Sequence, residues 1–269
     1  MHTDPGRAAA EISRPKGPTM ENARKSFHQT LDEIRTEMVH MAALVTESIP
    51  RATETVLSGD LADAQAIIEG DDPLDAKAVE LEELCYQQLA LQQPMAGDLR
   101  GIVTAIRMIS EIERSGDLVV NIAKGARRIF GTELPARLRG LIEQMGEEAT
   151  RLFRLAIDAY VDEDAGMAAA LDDLDDRLDA IHREYVQEIF LANNAGELQV
   201  QAAVQLALIG RYYERIGDHA VNIGERVRYM VTGWLPEHTG AARVAAAQAK
   251  PHHPPTGAPA APAMPPDEG

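Results

Sequence analysis

The chain of 269 residues has one cysteine, Cys85, so an intramolecular disulfide is excluded and a reducing compartment is expected. It has no run approaching 18 consecutive apolar residues, and no N-terminal apolar stretch like that of a signal peptide. A cytoplasmic protein is therefore expected. Basic residues are short: 26 Lys and Arg stand against 43 Asp and Glu, giving a formal charge of -17. That balance argues against nucleic acid and anionic membrane surfaces as direct partners, and suits cations or basic protein patches. No Val/Ile/Thr-rich alternating run bounded by turn residues predicts a strand. A Gly-rich phosphate loop and a nucleophile-elbow motif are also missing, which removes the commonest routes to phosphoryl transfer and hydrolysis.

Proline is scarce where it matters most. Only Pro50, Pro73, Pro94 and Pro135 fall between residues 23 and 233, while eight of the fifteen prolines lie beyond 234. Residues 1–22 and 234–269 lack apolar periodicity and are expected to be a disordered arm and a disordered Pro/Ala-rich tail. Between them helix formers dominate. Helices are predicted over about 26–57 (bent at Pro50), 61–91, 98–130, 136–160, 165–192 and 198–232. Breaks fall at Ser58-Gly59-Asp60, Gln92-Gln93-Pro94-Met95, Gly131 to Pro135, Asp162-Glu163-Asp164 and Asn193 to Gly196, and Gly233 closes the last helix. Pro135 is placed in the first turn of its helix. The expected fold is all-α, two tandem antiparallel three-helix bundles with six main helices, over 23–131 and 132–233.

Each half carries one copy of a motif. Glu113-Arg114-Ser115-Gly116-Asp117 continues to Asn121, and Glu214-Arg215-Ile216-Gly217-Asp218 continues to Asn222, 101 positions later. Residues four apart stack on one helix face, so Glu113, Asp117 and Asn121 form a column. At 100° per residue, Glu113 and Asp117 lie within about 40° of Ile106 and Leu99 and about 80° of Ile102, Ile109 and Val120. The carboxylates thus border the apolar stripe. Carboxylates partly withdrawn from water call for a cation.

The preceding helices supply partners, Asp71 with Asp75 and Asp172 with Asp176. Asp71 and Asp117 are each 23 residues from Pro94, and Asp75 and Glu113 each 19. The same distances separate Asp172 and Asp218, and Asp176 and Glu214, from Ala195. Antiparallel hairpins folded at those turns bring each quartet to one height. Four oxygen ligands with an Asn nearby suit Mg, Ca, Mn or iron, and the lack of a Cys or His column counts against Zn.

A solvated face or a salt bridge is the plainer reading of Glu-x-x-x-Asp, with Arg114 and Arg215 placed to reach Asp117 and Asp218. Asp72-Pro73 reads as an N-cap before a first-turn proline, which would leave Asp71 outside the helix. The second quartet, whose helices hold no proline, is therefore expected to be the stronger metal site. Gly116 and Gly217 predict a close approach by a neighbouring helix or ligand. His219 points about 100° from Asp218 and is expected at a surface or interface. Glu37-Met38-Val39-His40 lacks the second copy that a di-iron bundle needs, His252-His253 is read as incidental, and Cys85 as a packed thiol.

The two Glu-Arg-x-Gly-Asp-x-x-x-Asn motifs, the Asp98-Leu99-Arg100 opening of the third helix and the 101-residue repeat resemble the PhoU family over about residues 24–233. The resemblance implies two PhoU-type bundles and multinuclear metal clusters, iron in some members, with Mn, Mg, Ca or Zn as alternatives. By position the metal residues would be Asp71, Asp75, Glu113, Asp117 and Asn121, and Asp172, Asp176, Glu214, Asp218 and Asn222. It further implies a non-enzymatic negative regulator of the phosphate-starvation response. Such a protein contacts the ATPase of the phosphate ABC transporter and a sensor histidine kinase at the membrane's inner face; a homodimer is the expected assembly. A metal-dependent hydrolase or oxidase, and a purely structural helical adaptor with salt-bridged carboxylates, are the competing functions.

Overall fold

Seven helices account for nearly all of the chain that the computed structural model describes, residues 20–234, with side chains from residue 24 on. Residues 1–19 of the predicted arm and nearly all of the Pro-rich tail, with His252-His253, lie outside the described residues, whereas Met20 to Asn22, expected in the arm, begin the first helix. The first half comprises α1 (Met20–Ser58), α2 (Leu61–Glu69), α3 (Asp71–Gln92) and α4 (Ala96–Arg128). The second comprises α5 (Ala136–Val161), α6 (Ala165–Asn194) and α7 (Val200–Thr232). No strand occurs among the described residues. The architecture is the all-α one expected, with one difference: the stretch after Asp60 divides at Gly70 into α2 and α3.

Local chemistry explains the boundaries. Asp60 and Asp164 are N-caps whose carboxylates accept from Ala62 and Asp63, and from Gly166 and Met167. Each satisfies two backbone donors that would otherwise have no partner. At the end of α7, Gly233 takes φ 75° and its N–H returns to the Tyr229 carbonyl at 2.8 Å. Two terminal assignments move. Pro135 is the N-cap of α5 and not a first-turn residue. Asp72 does not cap α3: the helix begins at Asp71, which puts that carboxylate inside the first turn. Pro50 lies inside α1.

The core is a set of helix stripes. On α1 the buried residues Ile34, Met38, Met41, Val45, Ile49, Ala52 and Val56 recur every three or four positions. The helix α4 is the hub, touching α1, α2, α3 and α7, while α7 also contacts α5 and α6. The halves meet along α4 with α7 and α1 with α5, and all seven helices belong to one unit ending at Gly233. At the α1–α5–α7 junction the buried Thr53 hydroxyl hydrogen-bonds the Tyr213 hydroxyl at 2.8 Å. Burial holds the Tyr213 phenol far above its ordinary pKa, so it stays neutral. Thr53 also lies directly against Gly146 of α5, where a Cβ would overlap its side chain.

Polar latches set the ends of the bundle. Arg100, in the Asp98-Leu99-Arg100 opening of α4, donates from Nε to the Met230 carbonyl at 3.2 Å and so ties α4 to the end of α7. Arg35 of α1 donates to the Val161 carbonyl at 2.5 Å and to Glu163 at 3.2 Å, crossing to the α5–α6 turn. Lys77 of α3 pairs with Glu37 of α1 at 3.1 Å. Glu37 is thereby engaged and His40 is exposed, so no di-iron motif is built there. Cys85 is fully buried and its thiol is pushed up to about 11 by burial, the expected packed thiol.

Candidate carboxylate sites

In the first half, α3 and α4 bring Asp71, Asp75, Glu113 and Asp117 into one cluster. Burial raises the Asp71 carboxyl above the ordinary range; Asp75 and Asp117 add repulsion, and Lys124 offsets part of it. Asp75 is raised by burial and then by Asp117. Glu113 is raised by burial, then by Asp117 and Asp75, against the pull of Arg114. Asp71 Oδ1 and Asp75 Oδ1 are buried and accept no hydrogen bond. A groove of about 360 Å³ opens beside Asp75, lined by it with Glu82, Ser110 and Glu113 among others. Asn121 is half-buried on the same helix.

The second half differs in which carboxylates face the hairpin. Asp218 and Glu214 sit on α7, Asp218 exposed and Glu214 half-buried. On α6, Asp172 and Asp176 are exposed, and the carboxylate turned inward is Asp175. Its Oδ1 is buried without a partner and lies under Gly217. Burial, followed by Asp179, Asp218, Asp172 and Asp176, pushes it up to about 7. The signal for Asp175 was present in the sequence. It follows Leu171 by four and precedes Leu178 by three, and both are fully buried.

A basic group already reaches this second cluster. The Arg211 guanidinium pairs with Glu214 three residues on and stands 3.9 Å from Asp218. The salt-bridge alternative is therefore realised in this half, through Arg211 where the sequence pointed to Arg215.

Asn222 belongs elsewhere. Its Nδ2 donates to Glu111 Oε2 at 3.2 Å, and His219 Nδ1 shares a 2.5 Å hydrogen bond with the same oxygen. Burial would raise Glu111, but the hydrogen bonds from His219 and Asn222 outweigh it and hold the carboxyl below its usual range. His219 is thus an interface residue, buried between α4 and α7, and Glu111 is its partner from the other half.

Two glycines set the depth of both hairpins. A Cβ at Gly116 would sit 2.5 Å from Leu74 Cδ2, and one at Gly217 would meet Asp175 Oδ1 and, at 2.8 Å, Leu178 Cδ2. Each glycine gives up about 1 kcal/mol of helix propensity relative to alanine. In return the facing helix approaches closely enough to hold its carboxylates beside those of α4 or α7.

Among the described residues, no three His, Cys, Asp or Glu side chains stand in metal-ligand arrangement. The donor chemistry nonetheless fits a hard cation. All the groups are carboxylates, three of their oxygens are buried and unpartnered, and their mutual repulsion is what a positive ion would relieve.

Comparison with known proteins agrees with the repeat. The PhoU domain family model matches residues 38–126 and again 142–227. The phosphate-specific transport system accessory protein PhoU homolog 1 of Mycobacterium leprae is 35% identical over 215 residues, 80% of this chain and 96% of that protein. The PhoU homolog 2 of Mycobacterium tuberculosis is 35% identical over 214 residues, 79% of this chain and all of that protein. The crystal structure of PhoU from Pseudomonas aeruginosa superposes with a TM-score of 0.73 at 27% identity, covering 77% of this chain and all of that one. The phosphate transport system regulatory protein PhoU from Streptococcus pneumoniae gives 0.71 at 26%, over 78% and 98%. Carrying the domain twice, in the same helical architecture, this chain belongs to the PhoU family.

Proposed function

We propose that the protein is a non-enzymatic accessory regulator of phosphate-specific transport. The observation that carries this reading is the match to curated accessory proteins over 96–100% of their length. The regulator acts by contact with the transporter ATPase and a phosphate-sensing histidine kinase, as a cytoplasmic homodimer recruited to the membrane through these partners. No described helix is long and apolar enough to cross a membrane, so recruitment through a partner is the simpler route. Co-purification from phosphate-replete cells tests it: recovery of the ATPase or the kinase is expected. Specific binding to duplex DNA at physiological salt would overturn it.

The carboxylate sites bind cations as part of this reading. Asp71, Asp75, Glu113 and Asp117 would hold one in the first half, and Asp175, Glu214 and Asp218, with Asp172 and Asp176 at the rim, one in the second. A bound iron, manganese, magnesium or calcium ion would supply positive charge to oxygens that water does not reach. The residues' own part is to gather oxygen donors at one height and to exclude most other partners. Elemental analysis of the mildly purified chain, with Asp75→Asn and Asp218→Asn for comparison, decides whether metal is held there.

A further inference from the structure

The repeat places Ser110 of α4 where α7 has Arg211, and Glu82 of α3 where α6 has Arg183. At equivalent positions the first carboxylate cluster therefore has a neutral serine and an acid where the second half has two arginines. In the first, Ser110 and Glu82 border the 360 Å³ opening beside Asp75 and Glu113. The nearest lysine of α3, Lys77, is occupied by Glu37 and Glu80, each at 3.1 Å. In the second, Arg211 closes on Glu214 and approaches Asp218, while Arg183 Nε donates to the Asp179 carbonyl at 3.2 Å.

We propose that Arg211 is a tethered cation occupying the second carboxylate cluster, and that Ser110 leaves the first groove open to a soluble divalent cation. The divalent part rests on the cation-binding reading given above. A guanidinium three residues from its carboxylate, on the same helix, meets it at high effective concentration and offers several directed N–H donors. A soluble ion binding the second cluster must displace it. One entering the first displaces nothing of the kind, and it satisfies the buried Asp75 oxygen that has no partner. The first groove is then the high-affinity site, the reverse of the order expected from Pro73.

The test is a reciprocal exchange in the full chain, Arg211→Ser and Ser110→Arg, with Arg211→Lys as the charge-conserving control. Two quantities are read: binding of manganese(II) chloride by calorimetry, and the melting temperature in excess chelator. Wild type should show one tight manganese site. Arg211→Ser should gain at least about tenfold in affinity at a second site, Ser110→Arg should lose at least about tenfold at the first, and Arg211→Lys should resemble wild type. In chelator, Arg211→Ser should melt lower than wild type and Ser110→Arg higher. Unaltered melting in Arg211→Ser overturns the tethered cation whatever the metal does. So does manganese affinity unchanged in that variant when wild type binds manganese. If no variant binds manganese yet the melting shifts appear as stated, the tethered cation stands and the metal reading falls.

Discussion

The two hairpins are built to the same plan, yet the residue beneath the central glycine differs in kind. Leu74 fills the space under Gly116, and Asp175 fills it under Gly217. The first hairpin is therefore apolar at its floor and carboxylate-lined at its walls. The second carries a buried carboxylate in the floor itself, surrounded by four more acidic groups. A duplicated backbone does not enforce duplicated chemistry. One substitution at the floor moves the most strongly perturbed carboxylate from the walls of the groove to its base.

Changes that strike one half and spare the other sharpen the contrast. The largest effect is expected from Glu111→Ala, which leaves His219 and Asn222 without their shared acceptor at the α4–α7 interface. Loss of about 2–3 kcal/mol is expected by chemical denaturation. The equivalent position of the second half, Tyr212, has no such partners to lose, so Tyr212→Ala should follow ordinary large-to-small behaviour. Next comes glycine replacement. Gly217→Ala meets both Asp175 and Leu178 and should cost about 1–2 kcal/mol even after the gain in helix propensity. Gly116→Ala meets the flexible end of Leu74 and should cost less; equal losses would show that the floors are equivalent after all.

A pH profile isolates Asp175. Its folded-state pKa of about 7 lies above the unfolded value of 3.8, so between those values the folded state holds the extra proton. Stability from this group is greatest at low pH and falls as pH rises through the window. Asp175→Asn, melted in chelator, should therefore gain about 2–4 °C at pH 8 and nothing at pH 4. An equal gain at both values would assign the effect to packing. The smallest change expected is Lys124→Glu, which gives the first half the residue that the second has at Glu225. It removes a favourable charge from Asp71 but lies on the surface, so the cost should stay under about 0.5 kcal/mol.

Much of this contrast could be read from the sequence, because helix periodicity and hairpin symmetry are local arithmetic. Asp71, Asp75, Glu113 and Asp117 converge as their equal distances from Pro94 require, and Gly233 caps α7 as its position suggests. What escaped depends on how a helix is rotated about its axis. The break at Gly70 starts a new helix at Asp71, and so turns Asp71 and Asp75 partly inward. The helix α6 is continuous from Ala165 and presents Leu171, Asp175 and Leu178 instead. Gly70 has an ordinary φ of -76°, so nothing in its conformation demands glycine; the signal for a helix start was Asp72-Pro73, and the structure moves the cap from Asp72 to Gly70. The Glu111–His219 contact joins residues 108 apart across two halves, beyond the reach of any periodicity.

Thr53 bears on how such a doubled chain comes apart. Its hydroxyl is held by Tyr213 from α7 while the same side chain, hydroxyl and methyl together, is pressed on Gly146 of α5, so a residue of the first half is wedged between two helices of the second. Neither repeat can melt without unplugging the other. A duplication of this sort has traded the autonomy of its copies for a shared keystone. Either half made alone would expose that buried polar pair and the apolar faces around it, and calorimetry of the whole chain should record one transition where independent repeats would give two.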